Sequence, residues 1–457
     1  MATVIRWGIS KARSRIWALL VVTNVLLFPF PAHAAEYVIH ISVDGLNSSM
    51  LQSAVDAGNV ATFKRLQDEG AWTTNARADY TITRTLPNHT TMITGRPVHQ
   101  VEGMPETIHH GYDQNSTPAT TVTLHNAGNP ALDYIASVFD VVHDAGFSTA
   151  LYAAKVKFKL FDQSYNAANG APHPNGKDKI DRFFAYDLKS PPYSRTSHVT
   201  FLTEMMAEHF RYTFIHYADL DDAGHTFGWG SPEWNASLQD VDSYLSDVLA
   251  LIESDATLNG KTTLILTADH GGSSAGHASA TAPANYTIPF FAWGAGVLPS
   301  DLYSLNAESR SNPGSTRPNY TAPVQPIRNG DSGNLALKLL GLEPIPGSII
   351  NVAQDLRIAI EGDFNNDGVV DAADYTAWRN HLGDPTEQDI NFHGDGRGGV
   401  DAVDYDKWKQ HYADSLDTSG GGGVPSLHAN VPEPTALLLS AIATLVALSV
   451  QPRRQAP

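Results

Sequence analysis

Seven side chains of this sequence have the types and spacing to do chemistry together. Asp44 lies in Val43-Asp44-Gly45-Leu46, and Thr85 lies with Asn88 in Thr83-Arg84-Thr85-Leu86-Pro87-Asn88-His89. Asp221 and His225 bracket Asp221-Asp222-Ala223-Gly224-His225; Asp269 and His270 lie in Thr267-Ala268-Asp269-His270-Gly271-Gly272, with His277 soon after. Carboxylate and imidazole donors without any cysteine suit zinc at an open, catalytic site. Six such donors divide into two sets of three, the number a two-metal site needs, and two cations about 4 Å apart can clamp a phosphoryl group. Thr85 supplies a hydroxyl, a weak nucleophile until a metal or base activates it. It just precedes Pro87, a good first-turn residue, so the hydroxyl is expected beside a helix N-terminus, where amides and the dipole favour phosphate. Asn88 is expected to donate a hydrogen bond to a nonbridging phosphate oxygen. Taken singly, Asp44 reads as a turn residue and His225 and His277 as surface histidines; the conjunction carries the reading.

Apolar strands alternating with amphipathic helices must position these residues. Tyr37–Val43 reads as a strand ending at Asp44, Ala131–Ala145 as a helix, and 148–153, 213–217 and 262–267 as further strands. This alternation predicts an α/β fold, a central, mostly parallel sheet with helices on both faces, over residues 36–356. Ligands of such sheets bind beyond the carboxyl ends of the strands, where Asp44, Asp221 and Asp269 fall. Residues 104–130 and 160–200, rich in Gly, Pro and Asn, are expected to wall the substrate pocket. Lys155 and Lys157, in Ala153-Ala154-Lys155-Val156-Lys157, follow a strand. At i and i+2 of an extended segment both could reach one anion, with a solvated basic edge as the plainer alternative.

The composition narrows the partners. With 30 Lys+Arg against 48 Asp+Glu the net charge is −18, which disfavours nucleic-acid binding through a basic surface. No cysteine is present, which excludes disulfides and thiol chemistry. Residues 1–35 read as a secretory signal: Arg6, Lys11, Arg13 and Arg15, an apolar stretch from Ile16 to Phe30, then Ala32-His33-Ala34. At the other end a Gly-rich linker (416–430) leads to a terminal segment (431–457), with Val431-Pro432-Glu433-Pro434, an apolar run and Arg453-Arg454. The run is marginal for spanning a bilayer, and the arginines would stay cytoplasmic. The chain is thus expected to be exported, to the periplasm, cell surface or medium.

Residues 357–415 read as a small all-α calcium-binding module. Asp363, Asn365, Asp367, Asp371 and Asp374 occupy positions 1, 3, 5, 9 and 12 of a loop with Gly368 at position 6, the spacing at which a hard cation collects oxygen ligands. Asp371-Ala372-Ala373-Asp374-Tyr375 and Trp378 return as Asp401-Ala402-Val403-Asp404-Tyr405 and Trp408. The second loop carries His393 and Arg397 at positions 1 and 5, so one calcium is expected in the pair.

The ordered set of motifs resembles the alkaline phosphatase superfamily, and most closely its type I phosphodiesterase/nucleotide pyrophosphatase branch. The resemblance spans nearly all of 36–350, including Leu339-Leu340-Gly341-Leu342-Glu343-Pro344-Ile345-Pro346. It implies an alkaline-phosphatase-like fold, Asp44, Thr85, Asp269 and His270 around one zinc, and Asp221, His225 and His277 around the other. It also implies a phosphorylated Thr85 and a phosphate contact from Asn88. In animal members the last histidine lies much further along; here no histidine follows His277 in this domain. The lysine pair looks like that of phosphonoacetate hydrolases. A phosphodiesterase is therefore expected, with a phosphomonoesterase or phosphonate hydrolase as alternatives, and an inert display or adhesion protein as the alternative of another class. The sulfatase nucleophile motif is missing. The small module resembles a dockerin type I pair, implying a cohesin-like partner, with a structural spacer as the alternative. The tail resembles a PEP-CTERM signal, implying a sorting protease and membrane attachment before processing, with a plain anchor as the alternative.

Overall fold

The computed structural model describes residues 35–274, 276–395 and 399–415. The expected signal, linker and sorting segments lie outside these residues, apart from Ala35. Among the described residues no helix is long and apolar enough to cross a membrane.

Eight strands form one sheet: β1 (Tyr37–Val43), β2 (Ala71–Arg77), β3 (Thr149–Ala153), β4 (Arg182–Ala185), β5 (Tyr212–Tyr217), β6 (Thr262–Thr267), β7 (Thr287–Gly294) and β8 (Ser300–Asp301). Their spatial order is β4-β3-β5-β1-β6-β7-β2-β8. Only β7 runs against the others, pairing antiparallel with β6 and β2. The central strands β3, β5 and β6 are buried at every position, and β1 at all but its first. Strands buried on both faces read as continuous apolar runs, and both faces here are covered by helices and loops. This is the mixed α/β architecture expected from the alternation of elements.

The stretch expected as a helix over 131–145 is helical only at Val138–Asp144. Ser137 caps it: its side chain accepts from the Asp140 N–H while Asp140 reaches back to the Ser137 N–H. That reciprocal cap fixes the start and leaves the apolar residues before it in irregular chain.

In the 357–415 region the two sequence repeats form two like helices, Ala372–His381 and Ala402–His411. Each begins with the same cap, Asp371 with Asp374 and Asp401 with Asp404. The repeats hold one another reciprocally: Trp378 Nε1 donates to Asp401 O and Trp408 Nε1 to Asp371 O, both at 2.6 Å.

Candidate active site

The site is built where three neighbouring parallel strands end. β1 runs directly into Asp44; one residue after β5 the helix Asp219–Phe227 begins, carrying Asp221 and His225; and β6 leads into Asp269 and His270. Gly45 makes the approach possible. Its φ of +76° is left-handed, and a Cβ there would lie 3.0 Å from Asp221 Cα. Gly272 is similarly required, because a Cβ would come within 2.1 Å of the Trp229 ring, whose Nε1 donates to Gly45 O.

The first set of donors is Asp44, Asp269 and His270, all fully buried. His270 Nε2 lies 3.4 Å from Asp44 Oδ1 and 3.1 Å from Asp269 Oδ2. The second is Asp221, His225 and His277, with Asp221 Oδ1 3.3 Å from His225 Nε2 and 3.4 Å from His277 Nε2. The sets adjoin, since the His270 and His277 rings stack with centroids 3.5 Å apart. His270 Nδ1 donates to Gly271 O and His277 Nδ1 to Thr83 O. A carbonyl can only accept, so each Nε2 carries the lone pair, the tautomer that binds a metal. Burial lowers both imidazoles' pKa values, that of His270 to about 3, which keeps them neutral.

The electrostatics call for added positive charge. Burial pushes the Asp44 carboxyl up, but Lys155 and the nearby histidines prevail and hold it well below the usual range. Burial, and then the charges of Asp44 and Asp221, push Asp269 well above it. Lys155 acts as an internal cation, its Nζ 2.7 Å from Asp44 Oδ2 and 2.6 Å from Asp221 Oδ2, one carboxylate from each set. Even so, Asp44 Oδ1, Asp221 Oδ1, Asp269 Oδ2, His270 Nε2 and the Thr85 hydroxyl are buried without a hydrogen-bond partner. Buried polar atoms left this way are costly. Four of them belong to the two clustered donor sets, which fit two divalent cations.

Thr85 opens the helix Thr85–Thr94, every residue of which is buried. His89, one turn on, bonds Thr85 O through Nδ1 at 2.7 Å and Ser42 Oγ through Nε2 at 2.8 Å, pinning the Thr85 turn to β1. Asn88 differs from expectation. Its amide donates to Ile82 O and Arg84 O, and its Oδ1 accepts from Asp79 N and Asn329 Nδ2. Both N–H bonds are used inside the protein, so Asn88 fixes the loop before Thr85 rather than contacting phosphate. Asn88→Ala should therefore lower kcat with little change in KM, and should lower stability by about 2–4 kcal/mol because it orphans several buried groups at once. Urea denaturation and steady-state kinetics would check both.

The lysines also depart from the expected geometry. Residues 156–158 form a 3₁₀ turn, not extended chain. Lys155 turns into the carboxylates, whereas Lys157 Nζ approaches Asn115 Oδ1 at 3.4 Å. Both line a cavity of about 680 Å3 with His225 and His277, walled by Asn115 and Thr117 and by residues 187–191 and Tyr193. Sequence reasoning missed Asn115, whose Oδ1 accepts the Leu86 N–H at the start of the nucleophile helix. It also missed His216, whose Nε2 lies 3.0 Å from Asp44 Oδ2. Neither stands in a motif; strand register alone places His216 opposite Ser42. In the 363–374 loop, Asp363 accepts the N–H groups of Asp367 and Gly368, and Asp374 those of Asn365 and Asp371.

Parts of this chain are similar to known proteins. GPI ethanolamine phosphate transferase 1 of Chaetomium globosum is 34% identical over 90 residues, 20% of this chain and 10% of that protein. The Emericella nidulans enzyme of the same name is 28% identical over 168 residues, 36% of this chain and 17% of that protein. Thus the chain matches only a small part of these relatives' length. Among solved structures, alkaline phosphatase PafA aligns with a TM-score of 0.49 at 12% identity, over 70% of this chain and 99% of that one. Murine ectonucleotide pyrophosphatase/phosphodiesterase 5 in complex with AMP gives 0.47 at 14% identity, over 70% and 99%. The profile of the type I phosphodiesterase / nucleotide pyrophosphatase family matches residues 38–286, from β1 to the segment after His277. Matched over more than half its length, the chain belongs to the type I phosphodiesterase / nucleotide pyrophosphatase family.

Proposed function

We propose that the chain cleaves phosphodiesters through a phosphothreonine intermediate on Thr85. The observation that carries this reading is the convergence of Asp44, Asp269 and His270 with Asp221, His225 and His277 beyond the ends of β5, β1 and β6, four of whose buried polar atoms lack a partner, as does the buried Thr85 hydroxyl. Asp44, Asp269, His270 and Thr85 would hold one zinc, and Asp221, His225 and His277 the other. Bound there, the pair would supply Lewis-acid charge to the phosphoryl oxygens and lower the pKa of a hydroxyl or water. The Thr85 oxygen bonds to phosphorus as the ester bond to one alcohol breaks, and the Thr85 proton balances the departing alkoxide. Water then cleaves the threonine–phosphorus ester, restoring the hydroxyl and releasing a monoester. Helix packing and the His89 bonds hold Thr85 in place throughout, so little reorganisation accompanies attack.

Lys157, at the cavity wall, supports a monoester or phosphonate as the competing substrate class, since a second anionic oxygen could reach its ammonium. Rates on bis(nitrophenyl) phosphate, nitrophenyl phosphate and a nitrophenyl phosphonate decide. A diester faster than both others is the expected result; a monoester or phosphonate faster by tenfold or more replaces this reading.

The remaining features support an exported enzyme, membrane-attached through its C-terminal segment before a sorting protease acts, with a cohesin-like partner for the 357–415 module. We assign one calcium to Asp363, Asn365, Asp367, Asp371 and Asp374. Burial raises the Asp363 pKa to about 6, so calcium uptake should weaken as pH falls through that value. Asp363→Ala should lose it altogether, as measured by calorimetry on the full chain.

A further inference from the structure

A second cavity, of about 370 Å3, shares no lining residue with the phosphoester site. Arg310 and Arg328 line it, and both are buried, at 7% and 1% exposure. Arg328 Nε and Nη2 donate to Gln325 Oε1 at 3.2 and 3.1 Å, and Nη2 also to Pro318 O at 2.6 Å. Its third nitrogen, Nη1, is buried with no partner. Arg328 stacks over the Tyr320 ring at 4.4 Å, and among the described residues its guanidinium forms no ion pair. Arg310 differs, because its terminal nitrogens reach Asp331 Oδ1 at 2.9 Å and Asp355 Oδ1 at 2.8 Å, but its Nε is likewise buried and unpartnered.

A guanidinium carries donors only and keeps its charge at any working pH. Burying one with a free N–H and no counter-ion is unfavourable unless an acceptor completes it. Asp331 is already engaged, accepting from Arg310 through Oδ1 and from the Arg328 backbone N–H through Oδ2 at 2.7 Å. Among the described residues no acceptor reaches Arg328 Nη1 or Arg310 Nε. The other walls are mixed: Met104, Ile349, Ile350 and Val352, the last 47% exposed, are apolar, while Ser309, Asn351, Asp331 and Asp355 are polar, the two carboxylates being those paired with Arg310. Its volume falls within the roughly 300–1,000 Å3 usual for small-molecule sites. Arg328, the guanidinium without a carboxylate of its own, beside the apolar side chains of Met104, Ile349, Ile350 and Val352, favours an acidic acceptor joined to a short hydrocarbon.

We propose that this cavity binds a small organic monoanion, a carboxylate bearing an apolar chain, with Arg328 Nη1 and Arg310 Nε donating to the carboxylate. The proposal is independent of the chemistry at Thr85.

Calorimetric titration of the full chain with sodium hexanoate at constant ionic strength tests it. Saturable one-to-one binding is expected, with acetate at least about tenfold weaker because it lacks the chain. Hexylammonium should not bind. Arg328→Met should abolish binding. Because that variant loses buried bonds and could unfold, Val352→Glu provides the second test. This exposed like charge should weaken hexanoate about tenfold without moving the unliganded Tm. Absence of saturable binding, equal binding of hexylammonium or of inorganic phosphate, or an affinity unchanged in Val352→Glu would overturn the proposal.

Discussion

Turnover of bis(nitrophenyl) phosphate by Thr85→Ala should fall by at least about 10⁴-fold, the scale seen when a covalent nucleophile is removed. The hydroxyl is buried, unpartnered, and set at the first position of a helix buried along its whole length. Nothing nearby can replace it. Thr83, two residues earlier, uses its hydroxyl on His277 O at 2.6 Å. Alanine suits this helical position and removes an unsatisfied oxygen, so the variant should fold at least as stably as the parent. It should also retain its metal, because Asp44, Asp269 and His270 remain. Zinc by elemental analysis and Tm should both match the parent. Turnover within about tenfold of the parent would refute the phosphothreonine intermediate.

Stripping metal with a chelator should abolish activity by at least about 10³-fold, equivalent to the several kcal/mol that bound cations contribute to transition-state charge. Zinc alone should restore it, with near two equivalents per chain. The physical ground is the crowding of three carboxylates: the Lys155 ammonium pairs with Asp44 and Asp221, and the charges of those two push Asp269 up. Without cations, one carboxyl must take up a proton; with them, all three ionise and protons are released. Zinc titration of the stripped protein in buffers of differing ionisation enthalpy should therefore show net proton release near neutral pH. Asp221→Ala should bind about one equivalent fewer. A chain that keeps full turnover after chelation and holds no zinc would refute the two-metal site.

Much of this was legible in the sequence because it depends on local pattern. β1 and β6 fall on their apolar runs, with Asp44, Asp269 and His270 just after them and Asp221 and His225 in the helix after β5, so periodicity and motif order suffice. What escaped depends on register and close packing. The roles of Asn88 and Lys155 could not be read because motif position says nothing about which backbone carbonyls or carboxylates lie within reach. β7, Thr287–Gly294, pairs antiparallel with β6 after the connection 268–286, and no residue type there signals the reversal. Asn115 and His216 join the site only through long-range pairing.

The crossed tryptophan bonds in the 357–415 region bear on how this part of the chain can be lost. Each indole depends on a carbonyl that only the other copy supplies. A single copy on its own would lose that carbonyl, so the two copies complete one another as the halves of a two-fold pair do. Cleavage between the copies is then tolerable while both fragments stay together, whereas deletion of either copy strips the survivor of its partner and should leave it unfolded.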